Sequence, residues 1–272
     1  MSLWPINNKR PIIAGPCALE SRQQLKASVK LLKKYDIPVF RACLWKPRTK
    51  PGWDGIGYLG VGMLLEETLS AGMIPATEVV TARHAECLAE SIKAFDPQAK
   101  MLLWIGARNQ NHFEVSEIAR ILSRGPEGIY LMFKNQMWED EAHWLGIAEH
   151  LLEHGFPRER LLTCHRGFAP GKTPNPHNLR NIPEFEMSMR VKSKLSIPTI
   201  FDPSHIGGSP ENIHSMMKQA LTYNYDGFII EVHPHPVIAK TDSKQQLAPH
   251  QFEELLHLID NQSVVHQHLN GD

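Results

Sequence analysis

Short apolar runs alternate with longer amphipathic stretches along this chain, regularly enough to be counted. Eight runs stand out: PIIAG (11–15), PVFRACL (38–44), MIPATEV (73–79), MLLWIGA (101–107), GIYLMFK (128–134), RLLTCH (160–165), IPTIFD (197–202) and GFIIEV (227–232). Apolar residues at successive positions are what strands buried on both faces require. Between the runs lie segments such as SRQQLKASVKLLKKY (21–35), whose Leu25, Val29 and Leu32 recur at helical spacing among Lys and Gln, and ARHAECLAESIKAF (82–95) of the same kind. Ser21 and Thr81 stand where helix N-caps belong.

Strand followed by helix, repeated, implies a parallel sheet covered by helices. Eight such units fit a closed (β/α)8 barrel, with an open doubly wound sheet as the alternative, because the pattern does not reveal closure. One domain is expected over residues 1–272, with its core at about 10–258. The Pro- and Gly-rich RGFAPGKTPNPHN (166–178) reads as a long loop over one face of the sheet, and 259–272 as a frayed polar tail.

Composition adds mainly exclusions. Lys plus Arg and Asp plus Glu both number 29, so no overall field favours nucleic acid or an anionic membrane. The start MSLWPINNKR has no long apolar leader, and no run approaches the roughly 20 apolar residues of a span, so a soluble cytoplasmic protein is expected. The cysteines at 17, 43, 87 and 164 form no CxxC pair and read as reduced thiols.

Charge preference must therefore be local. RACLWKPRTK (41–50) sends an apolar run straight into Arg41, Lys46, Arg48 and Lys50. Alone, this is a solvated basic turn. The other runs end similarly: Cys17, Glu78, Arg108, Lys134, His165 with Arg166, His205, and Glu231 followed by His233 lie at or just past them. In a barrel these ends converge on one mouth, where barrel enzymes place their sites. Period-two counting puts Val39, Arg41 and Cys43 on one strand face and Tyr130, Met132 and Lys134 on another, so the charges point the way core residues do. Singly, Cys17 reads as a small buried hydrophobe, Glu78 as an ion-pair partner and His205 as a satisfied core histidine. Together, six cations (Arg41, Lys46, Arg48, Arg108, Lys134, Arg166) outnumber Glu78, Glu231 and Asp242, which suits a ligand carrying carboxylate or phosphate. Cys17, His205, Glu231 and Asp242 form a donor set able to hold Mn, Fe, Co or Zn, although no local spacing joins them.

At these residues the chain resembles the 3-deoxy-D-arabino-heptulosonate 7-phosphate (DAHP) synthase family. AGPCALES, FRACLWKPRTKPG, ATEV, WIGAR, FKN, HRGF, FDPSHIGG and DGFIIEVHPHPVIAKTDSKQQL follow in that family's order across about residues 10–258. They are most similar to the branch often fused to a chorismate mutase. The resemblance implies condensation of phosphoenolpyruvate with erythrose 4-phosphate, with one divalent metal ion held by Cys17, His205, Glu231 and Asp242. It implies that Arg41, Lys46, Gly106, Ala107, Arg108, Lys134 and Arg166 surround phosphoenolpyruvate, and that Lys46, Pro47, Arg48 and Thr49 meet the sugar phosphate. Lys46, Glu78 and His205 are the implied catalytic groups, and the adjustable pKa of a buried lysine suits Lys46 to donate a proton to the developing alkoxide. The sister 3-deoxy-D-manno-octulosonate 8-phosphate synthases, which take arabinose 5-phosphate, resemble KANRS where this chain has KPRT. A non-catalytic barrel serving a separate chorismate mutase is a further alternative. With the barrel using nearly the entire chain, weak or absent feedback inhibition by aromatic products is expected, and a homodimer.

Overall fold

The computed structural model describes residues 10–47, 51–172 and 174–269. Eight strands close into a barrel in sequence order, every neighbouring pair parallel. They are β1 (Ile12–Gly15), β2 (Val39–Arg41), β3 (Ile74–Glu78), β4 (Met101–Ile105), β5 (Ile129–Lys134), β6 (Leu161–His165), β7 (Thr199–Phe201) and β8 (Gly227–Glu231). Each falls inside one of the eight apolar runs, and closure removes the open-sheet alternative. The helices between them are α1 (Arg22–Lys33), α2 (Leu59–Ser70), α3 (Ala82–Phe95), α4 (His112–Ser123), α5 (Glu141–Glu153), α6 (Phe185–Leu195), α7 (Pro203–Gly207), α8 (Pro210–Ala220) and α9 (Pro249–Leu269). Ser21 and Thr81 cap α1 and α3 as their positions predict, their side chains accepting from the Gln24 and His84 N–H groups. No helix among the described residues is long and apolar enough to cross a membrane.

The period of two divides the apolar residues into two cores. Ile13, Val39, Ala76, Leu102, Trp104, Tyr130, Met132, Leu162, Cys164, Ile200 and Ile229 fill the barrel interior. Their alternates, among them Phe40, Leu103, Phe133 and Phe228, pack outward against Leu25, Leu64, Leu88, Trp144 and the other helix stripes. Alternate side chains of one strand necessarily enter different layers.

Two expectations need correction. The stretch expected to fray from 259 onward instead continues α9 to Leu269. Phe252, Leu255 and Ile259 bury one stripe of that helix, and Phe252 meets Tyr35 edge-on at 5.7 Å. His165 ends its strand without reaching the mouth. It alternates with inward Cys164 and Arg166, so it faces the helix layer among Phe185, Phe201 and Tyr225.

There His165 is fully buried, Nδ1 donating to Tyr225 Oη at 2.7 Å while Nε2 accepts from the Glu184 N–H. Burial, assisted by Arg166, pushes its pKa down to about 3. An unfolded histidine titrates near 6.5. Below that pH the unfolded chain binds a proton that the folded chain refuses, so stability is lost as pH falls toward the folded value. This group should contribute a slope of about 1.4 kcal/mol per pH unit between roughly pH 6.5 and 4. Urea unfolding of wild type and His165→Gln across that window should show a shallower acid limb in the variant; identical slopes would refute the assignment.

Candidate active site

The inward face of each strand carries the chemistry once its apolar residues are used up. After Val39 comes Arg41, after Ala76 Glu78, after Trp104 Gly106, after Met132 Lys134, after Cys164 Arg166, after Ile200 Asp202, and after Ile229 Glu231. Arg41, Glu78, Gly106, Lys134, Arg166 and Glu231 of these, with Cys43, Lys46, Pro47, Trp104, Ala107, Arg108, Arg180, His205 and Asp242, line a pocket open to solvent at the strand C-termini.

Arg41 and Glu231 meet at 2.8 Å, each about 1% exposed, and Arg41 also donates to the Cys17 carbonyl at 2.8 Å. Across the pocket Lys134 reaches Asp202 Oδ2 at 2.7 Å. Asp202 Oδ1 accepts from the His205 N–H and so caps α7, and Oδ2 lies 2.8 Å from His205 Nδ1. Trp104 stands between the two pairs, with Arg41 5.0 Å and Lys134 5.8 Å from its ring centre. Glu78 Oε1 lies against Gly106, where a Cβ would come within 2.1 Å of it, so a side chain at 106 would displace the carboxylate.

Burial would neutralise isolated charges, yet the pairing keeps them ionised. It pulls the Lys134 pKa down, but Asp202 outweighs it and holds the ammonium above its ordinary value. It would raise Asp202, but His205 and Lys134 hold the carboxyl well below the usual range. Arg166 is different. It is 2% exposed and donates to the Asn181 side chain and the Gly167 carbonyl, and among the described residues it has no ion pair. Burial, with Arg180 and Arg108 nearby, lowers it to about 10, so it remains a cation at neutral pH facing a pocket with surplus positive charge.

The other side of the pocket gathers donors. Ligand atoms of Cys17, Glu231 and Asp242 all lie within 4.8 Å of one another. Cys17 Sγ donates to Asp242 Oδ2 at 3.1 Å and accepts from Lys46 Nζ at 3.1 Å. His205 Nε2 approaches to 3.9 Å from Glu231 Oε1, and burial holds this histidine down at about 4, neutral and able to ligate at pH 7. Burial raises the Cys17 thiol, and Glu231 adds to the effect. A proton on that sulfur, directed at Asp242, is what a divalent cation would displace. A thiol and two carboxylates this close together, with the His205 imidazole beside Glu231, fit such an ion.

The described members of the catalytic, substrate-binding and metal-ligand sets come together here, Cys17 through its contact with Asp242, whereas His165 and His233 do not line the pocket; Arg48, Thr49 and Lys50 lie outside the described residues. Three contributors escaped the sequence reading. Asp202 was within reach, since counting by two from Ile200 turns it inward. Arg180, on the loop before α6, binds Asp242 Oδ1 at 2.9 Å and also Gln245, and no local pattern announces it. Gln245 in turn donates to Glu231 Oε2 at 2.5 Å.

Removing one partner of a buried pair strands the other charge. In metal-free protein Arg41→Met should lower the unfolding free energy by about 3–5 kcal/mol, and adding Glu231→Gln should restore part of it. Urea denaturation checks this; a neutral Arg41→Met would refute the pair as a structural constraint.

A profile of the DAHP synthetase I family matches residues 6–267. The phospho-2-dehydro-3-deoxyheptonate aldolase of Thermotoga maritima is 29% identical over 247 residues, 90% of this chain and 67% of that protein. The 2-dehydro-3-deoxyphosphooctonate aldolase of Rickettsia canadensis is 23% identical over 269 residues, 92% of this chain and 91% of that one. The crystal structure of the DAHP synthase from Thermotoga maritima shares the fold with a TM-score of 0.82 at 28% identity, covering 95% of this chain and 71% of that chain. A truncated form of the Thermotoga maritima synthase gives 0.77 at 26% identity, covering 95% and 88%. With all eight strands and the whole pocket inside the matched segment, the chain belongs to the DAHP synthetase I family of enzymes.

Proposed function

We propose that this transferase condenses phosphoenolpyruvate with erythrose 4-phosphate and water, giving 3-deoxy-D-arabino-heptulosonate 7-phosphate and inorganic phosphate, the opening step of the shikimate pathway. One observation carries the reading. A buried Arg166 without an ion pair among the described residues, Arg108, Lys134 and Lys46 face one pocket beside the Cys17, Glu231 and Asp242 donor cluster. Such a pocket suits a doubly anionic reactant held next to a divalent cation.

Cys17, His205, Glu231 and Asp242 would hold that cation, which when bound supplies Lewis-acid polarisation of the sugar's aldehyde oxygen. The remaining work belongs to the chain. Arg166 and Arg108 hold phosphate, while Lys134, fixed by Asp202, and Arg41, fixed by Glu231, set the field around the carboxylate. As C3 of phosphoenolpyruvate bonds to the aldehyde carbon, positive charge develops at C2. Glu78, whose carboxylate lies over Gly106 at the pocket wall, stabilises that charge. Water adds at C2, and the hemiketal phosphate loses phosphate by C–O cleavage. Lys46 supplies a proton to the forming alkoxide. Burial alone would lower its pKa, but the surrounding thiols and carboxylates outweigh burial and keep it protonated. Lys46→Gln should therefore lower kcat much more than it changes KM.

The defining experiment measures phosphate release from phosphoenolpyruvate with erythrose 4-phosphate or arabinose 5-phosphate, with Mn2+ or a chelator, in wild type and Cys17→Ala. Release with erythrose 4-phosphate, stopped by chelator and by Cys17→Ala, is expected. Release with arabinose 5-phosphate alone would move the chain to the sister activity, and no release with either would end the reading. Arg166→Ala should cost about 1.5–3 kcal/mol of phosphoenolpyruvate binding, read as an increase in its KM of roughly tenfold to more than a hundredfold.

A further inference from the structure

A second group of side chains able to ligate a metal lies at the C-terminal end of α5, on the outside of the barrel. The last turn of α5 reads His150-Leu-Leu-Glu153-His154, and ligand atoms of His150, Glu153 and His154 all lie within 4.8 Å of one another. The spacing i, i+3, i+4 places all three on one face of the helix. From here the chain passes through Arg158–Arg160 into the start of β6, whereas the pocket stands beyond the end of that strand. The cluster shares no residue with the Cys17 site or its pocket, so ion binding there does not depend on the proposed reaction.

Three features point to a cation rather than a solvated polar face. His154 Nδ1 lies 2.8 Å from the His150 carbonyl oxygen, which can only accept, so Nδ1 carries the proton and Nε2 presents its lone pair. A ligating histidine fixed by a backbone carbonyl through its other nitrogen is the usual supporting arrangement of a metal site. The His150 ring is ordered by stacking on His112, centres 5.6 Å apart. Finally, the C-terminal end of a helix carries partial negative charge that favours a cation.

We propose that His150, Glu153 and His154 form a second site for a divalent transition metal, of the Zn2+ class, on the outer surface of the barrel. Two imidazoles and one carboxylate select such an ion over Ca2+ or Mg2+. Three protein ligands at a partly exposed position leave the remaining coordination to water, so the ion exchanges freely with solution.

Equilibrium dialysis against Zn2+ tests this in the 272-residue Cys17→Ala chain, where the pocket cluster has lost its thiol. One Zn2+ equivalent should be retained. Combining His150→Ala with His154→Asn should weaken it by more than about tenfold, the least that loss of even a supporting partner costs a metal site. Asn is tolerated at helix C-termini, and circular dichroism verifies the fold of each variant. In wild-type protein, Co2+ at this site should give d–d absorption without thiolate charge transfer, and His150→Ala should remove that component while leaving phosphate release intact. Failure of the Cys17→Ala protein to retain Zn2+, retention unchanged in the double variant, or a Co2+ spectrum insensitive to His150→Ala would each overturn the site.

Discussion

Arg41 and Glu231 are 190 residues apart in the chain and 2.8 Å apart in the barrel, where neither can reach water. Closure forces the meeting. β1 pairs with β2 on one side and β8 on the other, so the ends of β2 and β8 are separated by one strand, and that strand ends in Gly15. A Cβ at Gly15 would lie 2.1 Å from the Arg41 carbonyl oxygen. The bare glycine is what allows the β1 backbone to lie this close to the Arg41 backbone at the end of β2. An ion pair so deep is weak evidence for stability, since desolvation consumes most of its Coulomb energy. Its consequence is directional: Glu231 is fixed, Gln245 is drawn to its second oxygen, and Gln245 together with Arg180 positions the loop that bears Asp242.

The same logic operates across the pocket. Asp202 caps α7 with one oxygen and holds Lys134 and His205 with the other, so a single buried carboxylate orients a helix, a cation and an imidazole. Its occupation leaves Arg166 to be satisfied by neutral groups, Asn181 and a carbonyl. The result is an ordered asymmetry. Donors for a cation collect beside β1 and β8, and unneutralised positive charge collects beside β4 and β6, with Trp104 between. Groups fixed before a substrate arrives need little reorganisation during reaction, which is the condition under which electrostatic stabilisation is most effective.

Much of this was open to reading from sequence because a parallel barrel uses two periods only. Eight apolar runs became eight strands, and alternation turned Arg41 and Lys134 inward. Applied consistently, the same alternation also admits Asp202 and excludes His165, whose neighbours Cys164 and Arg166 take the inward positions. The partners themselves were not readable. Whether Arg41 would meet Glu231 or Glu78 depends on which strands become neighbours at closure, and the linear pattern is silent about that. Arg180 depends on the path of an irregular loop and on a partner 62 residues away. The extent of α9 is hidden for another reason: its polar sequence conceals the stripe of Phe252, Leu255 and Ile259 that anchors the helix up to 259.

Strand-borne and loop-borne groups divide the labour unequally. Arg41, Glu78, Lys134 and Glu231 stand on strands whose backbone is held on both sides by the sheet, so their positions follow from the barrel itself. Asp242 is carried by a loop and sits at φ 49, a left-handed conformation that an L-residue other than glycine adopts at some cost. It persists because Arg180 and Cys17 engage opposite oxygens of its carboxylate. Arg180 itself arrives on the long segment between β6 and α6, the segment that also supplies Asn181 to Arg166. One loop therefore connects the cation-binding side of the pocket to its anion-binding side. A change in that loop would alter both sides together, whereas a change within the strands would first have to disturb the barrel.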